Sequence, residues 1–440
     1  MKSVVEYNKE FDLCCGCGLC TKLCPHNNLS MVYNEDVGRW EPQRINSTIC
    51  EYKCNGVCVR NCPSYTIDNK EYYSMDNVKG RLAKCKILTG WSKNDDLRYN
   101  ASSGGFIKYF AKLLINIGVV DGVISLKHED RDEYIPGIYT NEADIEKMPN
   151  SIYHQVSFEK AFDILHENNM RFLVIGCPCH IRAIDNYVKR NHSLRKRVVL
   201  KIALICGGTF NRDIRNAFCH YKNSDNGFVV SYRNGGRYRK TKMVNDDCEQ
   251  IYDIRKTKSI LEEIDNMILM DKSLVQNACL YCVDHLGESA DIVVGDAWTK
   301  KYNDDMSGVN LLIFRTDRAG TALSQIMAEG GFSLVEATIA DIEEAQTLRY
   351  TYGLVGKYMR DSLFGFELSN EEKRLLNMED VKLIHDKEVI RQYIRKKEYT
   401  KAKYVYCWQE KKEILFTFLR KITICRMVKN VLATIGLWRR

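Results

Sequence analysis

The residues with the most obvious chemistry are the cysteines of CCGCGLCTKLCP at 14–25, where five of twelve residues are cysteine. Four of them have the spacing C-x2-C-x2-C-x3-C and are followed by proline, as in bacterial ferredoxins: Cys14, Cys17, Cys20 and Cys24. Disulfides and zinc are the competing interpretations. Zinc normally takes two separated pairs of ligands, so three cysteines at intervals of two fit it poorly. The spacing predicts a 4Fe–4S cluster, with Cys15 as a spare thiol or as part of a shifted assignment.

A second run, ICEYKCNGVCVRNCP at 49–63, also ends in Cys-Pro. Its cysteines are separated by three residues each, which is wider than usual: Cys50, Cys54, Cys58 and Cys62. A zinc knot, or a loop that has lost its cluster, is the alternative. In a duplicated ferredoxin the fourth cysteine of each run ligates the other cluster. Cys62 would then complete the first cluster, and Cys24 the second.

The elements that could position further cysteines lie between residues 80 and 365. Five apolar runs predict buried strands: VVDGVISL (119–126), RFLVIG (171–176), VVLKIALI (198–205), ADIVVG (290–295) and NLLIFR (310–315). The periodicity of 106–118 predicts a helix. We therefore expect an α+β protein with a bacterial-type ferredoxin domain (1–75), a mixed-sheet α/β domain (80–365) and a basic helical tail (366–440).

Several predicted strands end in chemically active residues. RFLVIG leads into Cys177-Pro178-Cys179-His180, and VVLKIALI leads into Cys206, while a CxxC pair precedes ADIVVG. Ligand sites in open α/β sheets lie at the carboxyl ends of strands. Four thiols could therefore converge on one site: Cys179, Cys206, Cys279 and Cys282. Buried cysteines acting as small apolar residues, a zinc site or a redox pair are the alternatives.

A small-residue segment, Ser102-Ser103-Gly104-Gly105, precedes the predicted helix. A helix N-terminus favours an anion, so this segment suits a flavin or nucleotide phosphate. An ordinary helix N-cap is the simpler interpretation.

Bulk properties limit the class of protein. The 440 residues include 19 cysteines, and the hydrophobic and charged fractions are 45% and 28%, as in soluble globular proteins. We see no signal peptide and no transmembrane run, so we expect a cytoplasmic protein whose thiols stay reduced. The net charge is +8, and residues 387–440 alone carry +11.

The ordered set of motifs resembles the coenzyme F420-reducing hydrogenase and dehydrogenase beta-subunit family, including its bacterial relatives among surface-polysaccharide genes. The set comprises the ferredoxin loops followed by SSGG, VVDGVI, GCPCH, LICGG, a CxxC pair and GDAW, over about residues 10–365. The resemblance implies electron flow from a low-potential donor such as ferredoxin through 4Fe–4S clusters to FAD. The final acceptor would be an organic substrate or a deazaflavin coenzyme.

The resemblance also implies roles for individual residues. Cys179, Cys206, Cys279 and Cys282 would hold a third cluster. A flavin would contact both small-residue motifs: Ser102, Ser103, Gly104, Gly105, Gly295, Asp296 and Trp298. His180 stands where the family commonly has glutamine, and Ala297 departs from its aromatic residue, so F420 specificity does not transfer. His180 and Asp296 are the catalytic candidates, with a structurally satisfied histidine as the simpler interpretation of His180.

The tail offers two interpretations. Basic residues beside aliphatic ones at 411–440 suggest either peripheral membrane attachment or contact with a partner protein. A nucleic-acid partner is not expected, because no recognition motif is present. Two rival functions also remain: an electron carrier that serves a partner enzyme without its own substrate, and a zinc-stabilised scaffold.

Overall fold

The computed structural model describes residues 2–35, 38–46, 54–65, 74–131, 133–210, 228–233, 242–244, 250–253, 275–363 and 365–396. Its strands are β1 Leu29–Asn34, β2 Arg39–Arg44, β3 Lys86–Ser92, β4 Gly122–His128, β5 Tyr134–Tyr139, β6 Phe172–Gly176, β7 Val198–Leu204, β8 Phe228–Ser231, β9 Lys242–Val244, β10 Gln250–Asp253, β11 Ile292–Asp296, β12 Asn310–Phe314 and β13 Phe332–Glu336. Its α-helices are α1 Val4–Phe11, α2 Leu19–Leu23, α3 Val57–Arg60, α4 Met75–Leu82, α5 Asp95–Asn100, α6 Phe106–Asn116, α7 Glu142–Glu146, α8 Lys160–Glu167, α9 Pro178–Arg190, α10 Asn277–Leu280, α11 Asp317–Glu329, α12 Ile339–Ala345, α13 Gly353–Leu363, α14 Asn370–Leu375 and α15 Met378–Lys396.

A mixed sheet of eight strands organises the larger part of the described chain. Its order is β13-β3-β12-β11-β7-β6-β4-β5. Strands β4, β6, β7 and β11 are mutually parallel, and β12 is antiparallel to both β11 and β3. Strand β3 therefore runs in the same direction as the parallel group. The carboxyl ends of β3, β11, β7 and β6 consequently meet at one edge of the sheet.

The central strands are largely apolar because both faces of the sheet are covered. Along β6, the side chains of Phe172 and Val174 enter one hydrophobic cluster, and those of Leu173 and Ile175 enter the other. Helices α8, α9 and α12 cover the first face, and α6 and α11 cover the second. The five predicted strands, the predicted helix and the mixed sheet are confirmed. Strands β3, β5 and β13 were not predicted.

The N-terminal module, residues 2–65, contains an antiparallel hairpin of β1 and β2 with three short helices around it. Val4, Leu29 and Met31 form a small core with the cysteines of both runs. Helix α1 begins at a complete capping box, in which Ser3 and Glu6 satisfy each other's main-chain N–H groups. The ferredoxin character of this module stays a prediction.

Part of the predicted tail packs against the larger domain. Helix α15 contacts α10 and α13, and Arg349 forms an ion pair with Asp380 at 3.1 Å. The boundary at 365/366 stays a prediction, and residues 397–440 lie outside the described residues. None of the described helices is long and apolar enough to cross a bilayer.

Candidate metal centre

Thiols from both cysteine runs face one pocket in the N-terminal module. Its lining includes the four cysteines that the sequence predicts for a first cluster, three from the first run and one from the second: Cys14, Cys17, Cys20 and Cys62. Cys15 also lines this pocket. Leu19, Met31 and Pro42 contribute apolar walls. Four cysteine sulfurs facing a largely apolar pocket are the donor set that a 4Fe–4S cluster uses, so these residues fit that group.

The electrostatics of the pocket favour a positively charged occupant. Burial raises the pKa of the Cys14 thiol to about 12, and neighbouring Cys15 adds to the rise. Burial also raises the pKa of Cys20 and of Cys62, and the charges of adjacent thiolates raise it further. Crowded thiolates require a compensating cation, and coordination to a metal deprotonates a thiol.

Main-chain N–H groups point at the sulfur atoms. Gly16 N donates to Cys14 Sγ at 3.4 Å, and Asn28 N donates to Cys24 Sγ at 3.3 Å. Gly16 has a φ of +76°, which is costly for residues with a Cβ. Bonds of this kind help to set the reduction potential of a cysteine-held cluster.

The second predicted set is described only in part. Cys24 and Cys58 are buried in the module core, Cys54 is half-buried, and Cys50 lies outside the described residues. Their role as ligands stays a prediction.

The cysteine loop of the module lies directly against the larger domain. Phe158 N donates to Gly16 O at 3.0 Å, and the Gln155 side chain bonds both the N–H and the carbonyl of Trp40, at 2.7 and 3.1 Å. A Cβ on Gly18 would lie 2.6 Å from the Glu159 Cβ. The main chains of the N-terminal module and the larger domain are therefore in direct contact.

The contact continues through sulfur. The Cys15 thiolate accepts hydrogen bonds from the Cys17 and Cys179 thiols, which lowers the pKa of Cys15 well below its usual value and raises the other two. The sequence predicts Cys15 to be a spare thiol or part of a shifted ligand assignment. In the structure it links the first pocket to the end of β6.

The thiols of the larger domain converge at the shared strand edge. The Cys177 thiol donates to the Cys206 sulfur, which raises the pKa of Cys177 and lowers that of Cys206. Burial raises the pKa of Cys279 and of Cys282 to about 12, and Cys206 adds to both rises. The structure thus brings Cys179, Cys206, Cys279 and Cys282 into one neighbourhood, and it adds Cys177. We call these five thiols the body site.

Local structure holds the body site together. Thr209 N donates to Cys279 Sγ and Asp284 N donates to Cys282 Sγ, both at 3.4 Å. Arg182 on α9 pairs with Asp284 at 2.7 Å, and both side chains are almost fully buried. This pair ties the helix after Cys179 to the loop after Cys282. The donor set, its burial and its N–H···S bonds fit a second cysteine-held cluster.

Helix α9 contributes electrostatically as well. Cys177 is its N-cap and Pro178 occupies the first turn, where the missing N–H of proline costs nothing. The positive end of the helix dipole favours thiolates at this position.

Among the described residues, no three His, Cys, Asp or Glu side chains are arranged around a single metal ion. A cubane spreads its ligands over four irons, so it does not require that arrangement.

The two catalytic candidates lie at the ends of different strands. His180 stacks on Phe158 with ring centroids 4.5 Å apart, and burial lowers its pKa to about 4, so it is neutral at pH 7. Asp296 forms an ion pair with the buried Arg233. Strand β7 separates β6 from β11. The catalytic roles of both residues stay predictions.

Other atoms of the protein lie close to the glycines of the two small-residue motifs, SSGG and GDAW. A Cβ on Gly104 would lie 2.8 Å from Asn310 Oδ1, and one on Gly105 would lie 2.7 Å from Leu97 Cδ2. Asn310 Oδ1 also accepts the N–H of Phe106 at the start of α6, at 3.1 Å. A Cβ on Gly295 would lie 2.6 Å from Ile205. Close packing is therefore sufficient to explain why these positions are glycine.

The remaining predicted flavin residues also contact protein. The Ser102 hydroxyl accepts from Ser151 N at 2.8 Å, and the Ser103 hydroxyl donates to Val309 O at 3.0 Å. The Arg233 guanidinium lies over the Trp298 ring at 5.8 Å. Flavin contact with the SSGG and GDAW motifs stays a prediction.

Sequence reasoning missed several residues that shape the site. Gln155, Asn310 and the Arg182–Asp284 pair act through contacts distant in sequence, which spacing does not reveal. Cys177 carried a signal, because the Cys-Pro-Cys motif places it two residues before Cys179.

Two family models match the chain, and both describe the beta subunit of coenzyme F420 hydrogenase/dehydrogenase. The model of the N-terminal part of that subunit matches residues 87–163, and the model of its C-terminal part matches residues 169–339. Together they cover more than half of the chain.

Individual relatives are distant. The chain is 22% identical over 338 residues to the uncharacterized protein MJ1349 of Methanocaldococcus jannaschii, covering 68% of this chain and 84% of that protein. It is also similar to a chain of the F420-reducing NiFe hydrogenase complex from Methanosarcina barkeri. That match has a TM-score of 0.45 and 15% identity, and it covers 63% of this chain and 89% of the other.

Proposed function

This chain belongs to the coenzyme F420 hydrogenase/dehydrogenase beta-subunit family, and we propose that it is an oxidoreductase that relays single electrons between its N-terminal module and the body site. Cys14, Cys17, Cys20 and Cys62 would hold one 4Fe–4S cluster. Cys206, Cys279 and Cys282 would hold another, with Cys179 or Cys177 as the fourth ligand. Such clusters supply one-electron transfer when they are bound.

The observation that carries the proposal is the contact between the cysteine loop of the module and the larger domain, where Phe158 N donates to Gly16 O at 3.0 Å and Cys15 lies beside Cys179. It joins the pocket of the module to the body site, while Gly16 O, Gln155 and Gly18 hold the two loops together. The chain's contribution is to fix the distance between the two thiol sets. The apolar walls exclude water, and the N–H···S bonds and the Arg182–Asp284 pair adjust the local charge.

The finer parts of the proposal come from the family resemblance. They are a low-potential donor, FAD as the two-electron acceptor, an organic or deazaflavin substrate, and a role in surface polysaccharide biosynthesis. FAD would convert single electrons into a hydride equivalent. The described residues of the SSGG and GDAW motifs contact protein, so the proposal does not depend on a flavin at these motifs.

The test is anaerobic purification followed by measurement of iron, acid-labile sulfide, zinc and released flavin per chain. We expect about twelve irons if all three predicted clusters form. Cys282→Ser should lose about four of them, whereas Cys85→Ser, a half-buried cysteine outside both sets, should lose none. Equal iron in Cys282→Ser and the wild type would refute the body cluster. Zinc without iron would refute the whole proposal and favour the scaffold.

An electron carrier without its own substrate is the alternative, and membership of a family of beta subunits favours it, because such subunits act together with partner chains. Turnover separates the two functions. An enzyme oxidises its reduced cofactors with a substrate alone, whereas a carrier does so only with its partner protein.

A further inference from the structure

A buried lysine lies beside the CxxC loop of the body site. Lys387 is on helix α15, and 1% of it is exposed. Its Nζ donates to Leu280 O at 3.0 Å, and Leu280 is one of the two residues between Cys279 and Cys282. A side chain from the region assigned to the tail thus ends at the main chain of the loop that carries two candidate ligands.

A second contact fixes the position of the ammonium group. Nζ lies 4.2 Å from the centroid of the Tyr350 ring, a geometry that favours a charged lysine. Burial raises the pKa of the Tyr350 hydroxyl, and the Cys279 thiolate is the next cause of the rise. Tyr350, Leu280 O and Lys387 therefore form one group around the Cys279 side of the site.

Burying a lysine is costly unless something compensates its charge. Thiolates around an iron core carry negative charge that increases on reduction, so a buried ammonium group beside the CxxC loop would interact favourably with a cluster there.

We propose that Lys387 is a positioning residue that raises the reduction potential of the cluster held by Cys206, Cys279 and Cys282. The body site would then accept electrons more readily than it would without this lysine. The inference rests on the proposed function. In this electron-transfer step the cluster would gain one electron from the low-potential donor, so its charge would become more negative by one. No covalent bond forms or breaks. A fixed positive charge stabilises the reduced form more than the oxidised form.

The test is a redox titration of the protein under anaerobic conditions, with dithionite as the reductant. EPR spectra of the reduced clusters monitor the titration. The signal lost in Cys282→Ser identifies the body cluster. Lys387→Met should decrease the equilibrium constant for its one-electron reduction at least tenfold, a shift of about 59 mV to lower potential. The exposed Lys382 on the same helix is the matched control, and Lys382→Met should leave the potential unchanged.

Two more variants separate charge from packing. Lys387→Arg keeps the charge and should keep the potential close to that of the wild type. Lys387→Gln is neutral but can still donate to Leu280 O, so it repeats the test if Lys387→Met does not retain iron. An unchanged potential in a neutral variant that retains the signal would overturn the inference, as would an equal shift in Lys387→Arg. A wild-type protein without a body signal would overturn the proposed function itself.

Discussion

Replacing Gly18 with alanine tests how the module is joined to the larger domain. Gly18 has a φ of +72°, and a Cβ at this position would lie 2.6 Å from Glu159 Cβ and 2.7 Å from Glu159 Cα. The left-handed conformation costs a residue with a Cβ about 1–2 kcal/mol, and overpacking adds about 1–3 kcal/mol. Because Glu159 Cα is main chain, it cannot rotate away. We therefore expect Gly18→Ala to destabilise the joined state by about 2–5 kcal/mol.

Two readouts report this change. Hydrogen exchange of residues 14–24 and 155–160 should accelerate together, because the two loops protect each other. The apparent free energy of unfolding, measured anaerobically in urea, should fall by the same amount.

Gly80 provides the matched control. It lies in helix α4, and a Cβ there would meet no atom within 4 Å. Gly80→Ala should therefore be neutral or stabilise the protein by about 0.5–1 kcal/mol. Wild-type exchange and stability in Gly18→Ala would refute the close approach of the two loops.

Three further perturbations address the body site and its support. Asp185→Asn should destabilise the protein at pH 7, because the folded state favours the charged carboxylate of Asp185. Burial alone raises the pKa of this carboxyl, but Lys201 and Lys189 outweigh burial, so its pKa is lowered. That stabilisation is present above the unfolded pKa, so the difference from the wild type in urea unfolding should shrink below about pH 4, and a constant difference would contradict this. Arg182→Met should cost about 3–5 kcal/mol because it leaves Asp284 buried and unpaired, and adding Asp284→Asn should recover much of the loss, which urea unfolding of both variants measures. Removing iron with a chelator should lower the apparent melting temperature, because the crowded thiols lose their cations; an unchanged value would argue against bound clusters.

The strands of the larger domain could be predicted because their apolar runs are continuous. Strands β6, β7 and β11 lie in the middle of a sheet covered on both faces, and their sequences contain little but buried residues. By contrast, only the first position of β13 is buried, and its pairing with the largely buried β3 brings together residues 88 and 336. Sequence periodicity carries no information about contacts of that range.

The convergence of thiols at one strand edge could also be anticipated, because parallel strands place their carboxyl ends together. The contact of Cys15 with Cys179 could not, because it depends on how the N-terminal module packs against the larger domain. The glycines show the same limit. A ligand and a neighbouring main chain both require a small residue, and only the structure shows that Asn310 and Leu97 occupy the space beside Gly104 and Gly105.

The position of β3 in the sheet also has a consequence for biosynthesis. Both of its neighbours, β12 and β13, come from the far end of the domain, and they are synthesised roughly 220 and 240 residues after β3. At about 5–20 residues per second, β3 waits for about 12–50 s with two unpaired edges. During this time a nascent chain presents an apolar strand to any other strand nearby. We expect truncated chains that end before residue 310 to aggregate, and the complete chain to depend on chaperones while it is synthesised.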